Sequence, residues 1–112
     1  MSRSISLLQL LKYDTTQKIL VALADAESRA LLLATIKDEK SAAELSEELH
    51  IPLSSVYKKL STLVDLALME VTRIDVEPRG RKKFKLYKSR IAKAEIRIEG
   101  SKPETILELA PN

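Results

Sequence analysis

From Ala22 to Leu68 the apolar residues recur at helical spacing, and after Leu68 the period changes to the alternation of an extended chain. That switch commits the chain to helices first and strands after, an α+β order that is mainly α. Punctuation divides the helical part into three segments. Asp25 caps the first, whose apolar face is Ala30, Leu31, Leu33, Ala34 and Ile36, and Lys37-Asp-Glu-Lys40 reads as the turn that follows. Ser41-Ala-Ala-Glu44 then reads as a capping box: the serine hydroxyl accepts from the third amide while the glutamate reaches back, and Leu45 and Leu49 follow at i, i+4. The third segment begins near Pro52, whose fixed φ and missing N–H suit the first helical position. At 100° per residue Val56, Leu60, Leu63 and Ala67 share one stripe, with Ser54, Lys58, Ser61, Thr62 and Asp65 opposite.

Beyond Leu68, Val71–Val76 and Lys82–Tyr87 alternate as two strands, with Pro78 and Gly80 at the tip between them. A second extended pair, Ala94–Ile98 and Thr105–Leu109, is joined through Gly100-Ser-Lys-Pro103. Upstream, Asp14-Thr-Thr-Gln17 reads as a further helix start, preceded by the apolar cluster Ile5, Leu7, Leu8, Leu10 and Leu11.

Composition removes most chemistry. With 112 residues and 45% apolar content, the chain fills one core. No cysteine is present, which excludes disulfides, thiolate metal sites and cysteine nucleophiles. Two glycines, Gly80 and Gly100, are too few for a phosphate-cradling loop. A single histidine, His50, has no second imidazole to share a metal, and nothing around it forms a Ser/His/Asp set. No acid, base and nucleophile fall at a working spacing, so neither an enzyme nor a cofactor is expected. The longest apolar run, Ile19–Ala24, is far short of the roughly 20 residues of a membrane helix. Met1 to Lys12 is too short and interrupted for a secretory signal, and the expected location is the cytoplasm.

Three helices and a hairpin, with a tight connection between the second and third helices, is the order of a winged helix-turn-helix. Leu20-Val-Ala-Leu-Ala-Asp-Ala-Glu-Ser-Arg29-Ala-Leu-Leu-Leu resembles the first core helix of arsenic-repressor-type (ArsR) regulators. Ser41-Ala-Ala-Glu-Leu-Ser-Glu-Glu-Leu-His-Ile-Pro-Leu-Ser-Ser-Val-Tyr-Lys-Lys-Leu60 resembles that family's helix-turn-helix, and its Ile-Pro-x-Ser-x-Val-Tyr portion is equally similar to archaeal TrmB-type regulators. The resemblance runs from Leu20 to Lys88. It implies a three-helix core with a β-hairpin wing, extended here by an N-terminal helical segment and a C-terminal β-hairpin. It also implies double-stranded DNA as partner. Two departures stand out. Where such families carry glycine, after the second helix and before the wing, this chain has His50 and Ala67. The metal-sensing cysteines of many ArsR-type members are missing, so no metal effector is carried over and the effector is left open.

Charge distribution supports the same partner independently. Lys and Arg number 19 against 16 Asp and Glu, a net +3, yet between Pro78 and Lys93 eight basic residues stand with no acid among them. The +3 of the whole chain less these eight leaves −5 elsewhere. Arg79 and Arg81 flank Gly80 at the tip, followed by Lys82 and Lys83, placed to lie along phosphates or enter the minor groove. The alternative is a solvated charged hairpin. The third helix offers Ser54, Ser55, Lys58 and Thr62 to the major groove, with Lys58 the one strong donor to guanine or phosphate. Lys59 lies on the flank, toward phosphate or solvent. Tyr57 either directs its hydroxyl to a phosphate or is boundary packing. His50 is read as an exposed helix-ending residue, with a phosphate contact as the alternative, and Glu44, Glu47 and Glu48 keep the second helix from lying flat on DNA.

The expected organisation is an N-terminal dimerisation segment over 1–18, a DNA-binding domain over 19–90 and a hairpin extension over 91–112. Ile5, Leu7, Leu8, Leu10 and Leu11 are the expected homodimer contact, since two half-sites about 34 Å apart suit a two-fold dimer. The alternative is a helix that covers its own core. Two functions follow: a DNA-binding transcriptional regulator, or a winged helix serving as a protein-interaction module in a transcription or processing assembly.

Overall fold

The computed structural model describes the backbone of residues 7–100 and 102–109, and the side chains of residues 15–95 and 100. Ile5 and its expected contact lie outside the described residues. The order is α1 (Leu7–Ala24), α2 (Ala26–Ala34), β1 (Lys40–Ser41), α3 (Ala42–Leu49), α4 (Leu53–Asp65), β2 (Met69–Val76), β3 (Lys83–Ser89), β4 (Ile91–Glu99) and β5 (Lys102–Leu109).

Asp14 and its neighbours do not start a helix; they lie inside α1, which runs unbroken for 18 residues. Asp and Thr cost only about 0.7 kcal/mol each relative to Ala in a helix interior, and no glycine or proline interrupts the segment. Leu7, Leu8, Leu10 and Leu11 fall in its first turns. Asp25 ends the run and caps α2, accepting from the Ser28 amide at 2.9 Å. In α2 it is Leu31 and Leu32 that are buried, while Leu33, expected on the apolar face, is 70% exposed. The face is set by how α2 meets α4, one residue round from the best sequence stripe.

The capping box of α3 is present in both directions, Glu44 N to Ser41 Oγ and Ser41 N to Glu44 Oε1, each at 3.1 Å. Pro52 stands one place before the helix, at the N-cap of α4, because its ψ of 137° is extended. Val56, Leu60 and Leu63 are completely buried, as their stripe requires. Ala67, expected to continue that stripe, lies past the helix end and is exposed; Leu68 is buried in its place.

The two positions where glycine was missing carry left-handed backbone, His50 with φ 55° and Ala67 with φ 60°. Both helices close with the same bond pattern: the Ile51 amide donates to the Ser46 carbonyl, and the Leu68 amide to the Leu63 carbonyl, five residues back. At α3 the Ser46 hydroxyl adds a 2.6 Å bond to the Ile51 carbonyl. The turns are those of a glycine cap, made without glycine.

The strands form two sheets. In the first the order is β1-β3-β2, all antiparallel, with Lys40 opposite Tyr87 and a bulge between Val71 and Arg73. β1 takes up Lys40, expected in the turn, and ties the start of α3 to the sheet. Between β2 and β3 the Glu77 amide donates to the Lys82 carbonyl, and the Gly80 amide to the Glu77 carbonyl, with Gly80 at φ 69°. The core lies between the end of α1, α2, α3, α4 and this sheet, with Leu31, Leu45, Leu60, Leu63 and Met69 at its centre and Ala22, Leu23, Tyr87 and Ile91 at its rim.

The second hairpin is longer than expected. β4 and β5 pair from Ile91 opposite Leu109 to Glu99 opposite Lys102, which leaves only residues 100 and 101 between them. Its root is latched to the core: the Ser89 amide donates to the Thr35 carbonyl, the Arg90 amide to the Leu68 carbonyl, and the buried Ser89 hydroxyl donates to the Ile91 carbonyl.

Candidate nucleic-acid interface

The outer face of α4 is amphipathic by construction. With Val56, Leu60 and Leu63 turned to the core, Ser54, Lys58, Ser61 and Thr62 face solvent and Ser55 is half-buried. Thr62 donates its hydroxyl to the Lys58 carbonyl at 3.3 Å. On either side of α4 runs a groove. One, of about 720 Å³, lies toward α1 and α2 and is bordered by Lys18, Asp25, Ser55, Lys58 and Thr62. The other, of about 730 Å³, lies between the α3 start and the β2–β3 hairpin, bordered by Tyr57, Lys82, Lys83 and Lys85 together with the acidic Glu44 and Glu77. Tyr57 is 52% exposed at that second groove, across from the lysines of the hairpin. Behind it Tyr87 is buried, which raises its phenol above the ordinary value, with Tyr57 a lesser contributor.

Lys59 points elsewhere. Its Nζ is 2.7 Å from Asp25 Oδ2 and 3.6 Å from Glu27 Oε1, turned to the start of α2 and away from the outer face. The Lys59 hydrogen bond, then those from Ser28, pull the Asp25 carboxyl down to about 2. The same contact raises the Lys59 ammonium above its ordinary value.

Other cations are also spoken for. Lys40 pairs with Glu48 at 2.8 Å. Arg73 pairs with Glu39 at 2.7 Å and Asp75 at 3.0 Å. Hydrogen bonds from Thr72 and Arg73 hold Glu39 below the ordinary carboxylate value. Lys58, Arg79, Arg81, Lys82 and Lys83 differ: among the described residues none has an acidic partner, and all are exposed. Arg29, Lys37, Lys85, Lys88 and Arg90 likewise have no acidic partner among the described residues, so the open positive charge is densest along the β2–β3 hairpin and its return strand, with Lys58 added on α4. His50 is exposed at the end of α3, and Glu47 and Glu48 are exposed on that helix. Among the described residues no three His, Asp or Glu side chains are placed to hold a metal ion, and no helix is long and apolar enough to cross a membrane.

Two features of this face went unread in the sequence. Lys85 joins the second groove because the register sets it on the wall shared with Lys83; alternation alone carried that signal. Lys18 joins the first groove only because α1 continues past it, which no local pattern announced.

No protein-family model matches the chain, and no curated protein matches it in sequence. In three dimensions it is similar to the crystal structure of NolR from Sinorhizobium fredii, a winged-helix transcriptional regulator, with a TM-score of 0.60 over 79% of this chain and 81% of that one. The fold is a winged helix. Identity across the match is 19%, so the likeness concerns the backbone. In winged-helix terms α3 and α4 are the helix-turn-helix, β2 and β3 are the wing, and Arg79, Gly80 and Arg81 are its tip.

Proposed function

We propose that this winged helix is a DNA-binding transcriptional regulator. The observation that carries the reading is the pairing pattern of its charges: internal ion pairs take up Lys40, Lys59 and Arg73, while Lys58 on α4 and four cations at the wing tip are left open. Such a layout suits a polyanion whose phosphates supply the missing partners.

In this reading α4 enters the major groove, with Ser54, Ser55, Lys58 and Thr62 toward base edges. The wing follows the backbone, with Arg79 and Arg81 on phosphates or in the minor groove and Lys82 and Lys83 on the flanking phosphates. Tyr57 directs its hydroxyl to a phosphate passing through the groove between α4 and the wing. Lys59 serves the interface at one remove, holding α4 against α2. The protein acts as a cytoplasmic homodimer of ArsR-like type, contacting its copy through the N-terminal segment, and carries no catalytic activity. Likeness of fold to NolR, itself a regulator, supports the role.

The protein-interaction module keeps one specific support, the exposed Glu47 and Glu48 of α3 beside an α4 with few strong base-reading groups. A titration on mixed-sequence duplex at graded salt separates the two. A regulator retains measurable binding at physiological ionic strength, whereas an adaptor's association is weak and wholly suppressed by salt.

A further inference from the structure

Strands β4 and β5 form a sheet of only two strands, a marginal object in water unless something packs on it or extends it. Its register sorts the residues by chemistry. Ile91 is opposite Leu109, Ala94 opposite Leu107, Ile96 opposite Thr105 and Ile98 opposite Pro103. At the alternate positions Lys93 is opposite Glu108, Arg97 opposite Glu104 and Glu99 opposite Lys102. The register thus sets apolar positions against apolar ones and charged positions against opposite charges along most of the hairpin, with Glu95 opposite Ile106 the exception. Lys93 also pairs along its own strand with Glu95 at 2.8 Å.

The two outer edges are not alike. β5 contains Pro103, which has no N–H to offer a further strand, a common way of closing an edge. β4 has no proline from Ile91 to Glu99, and among the described residues no strand lies on its outer side. The sequence of that open edge is complementary to itself. Run antiparallel about Ile96, Glu95 falls opposite the partner's Arg97, Lys93 opposite the partner's Glu99, and Ala94 opposite the partner's Ile98. Centring one residue earlier would set Lys93 against the partner's Arg97, and one residue later would set Glu95 against the partner's Glu99. Of these three axes, the one at Ile96 makes every charged pair attractive, forms two such pairs on each side and keeps apolar residues together.

We propose that β4 pairs antiparallel with β4 of a second copy of this chain about a two-fold axis at Ile96, joining the two hairpins into one four-stranded sheet. Such contacts are isologous and close on themselves, so they yield a dimer and not a fibre. In each protomer α1 contacts β5, the strand away from the proposed axis. The pairing gives the dimer of the preceding section its axis and rests on that reading only for its biological purpose.

Sedimentation equilibrium of the full chain without DNA tests it, using charge reversals at the proposed axis. Glu95→Lys meets the uncharged Ile106 across the hairpin and gives up the exposed 2.8 Å pair with Lys93 along its own strand. Arg97→Glu is combined with Glu104→Arg, which preserves the ladder pair inside the hairpin. Each variant alone meets two like-charge contacts across the axis and should self-associate about tenfold more weakly than wild type, with an unchanged circular dichroism spectrum. An equimolar mixture of the two should recover wild-type affinity, since each reversed charge then meets its opposite. A monomeric wild type, variants that dimerise as tightly as wild type, or a mixture no tighter than its components would each overturn the proposal. DNA takes no part in the measurement, so failure here leaves the DNA-binding reading standing, and failure of duplex binding leaves this one standing.

Discussion

Lys59 reaches 34 residues back along the chain to Asp25, its ammonium nitrogen 2.7 Å from the carboxylate that caps α2. Asp25 thus accepts three bonds, from the Ser28 amide at 2.9 Å, the Ser28 hydroxyl at 2.8 Å and Lys59. One carboxylate closes the N-terminus of α2 and ties it to α4. The orientation of α4 depends on this contact as well as on its buried stripe.

Asp25→Ala removes the cap and leaves Lys59 only its longer contact with Glu27, and should destabilise the protein by about 1 kcal/mol or somewhat more in urea unfolding. The pH dependence has a definite sign. Asp25 titrates at about 2 in the folded chain against 3.8 ordinarily, so its contribution is complete above 3.8 and is lost as the pH falls through about 2. Asp25→Asn should flatten the stability curve in that acid window and leave its slope near neutrality unchanged.

Both left-handed helix ends carry a side chain with a Cβ. A non-glycine residue there costs about 1–2 kcal/mol, part of which glycine returns through its freer unfolded chain. Ala67→Gly should therefore raise stability by about 0.5–1 kcal/mol, and His50→Gly by less, since polar residues tolerate this backbone better. Thermal unfolding of the single and double variants checks this, and additive gains are expected because the two turns share no partner.

Ser89 is buried where β3 gives way to β4, donating to the Ile91 carbonyl at 2.8 Å and accepting from the Ile91 amide at 3.2 Å. Ser89→Ala leaves these groups unpaired and should cost about 1–3 kcal/mol. Amide hydrogen exchange should show the loss of protection concentrated at the root of the second hairpin, with α3 and α4 little affected.

Most of the helix-turn-helix was legible because its signals are local. The capping box of Ser41 and Glu44, the Asp25 cap and the stripe of Val56, Leu60 and Leu63 each lie within one element, where spacing and chemistry suffice. What was missed depends on distant partners. β1 is two residues that pair with Tyr87 and Leu86, too short for any period. Leu33 and Leu32 exchange inside and outside because α4, not the α2 sequence, decides which side is covered. Lys59 looked like a flank cation until the fold brought Asp25 beside it. Of the candidate site, the cluster of cations on the wing was readable from the charge run, and the polar face of α4 from its helical spacing. Which cations keep internal partners was not.

Lys58 is the one strong donor on the outer face of α4, so Lys58→Ala should change the rank order of operator sequences as well as weaken binding, by about 1–3 kcal/mol at a preferred site. Competition among duplexes that differ at single positions reads this out. A uniform loss across all sequences would assign Lys58 to a phosphate instead.

In the proposed regulator the open cations of the wing meet DNA phosphates. The most direct test is the salt dependence of duplex binding for the wild type and for Arg79→Ala with Arg81→Ala. Each phosphate contact contributes about −0.9 to the slope of log affinity against log salt, so the double variant should bind all sequences more weakly, with a slope shallower by about 2. A double variant that matches the wild type in affinity and slope at physiological salt would contradict it.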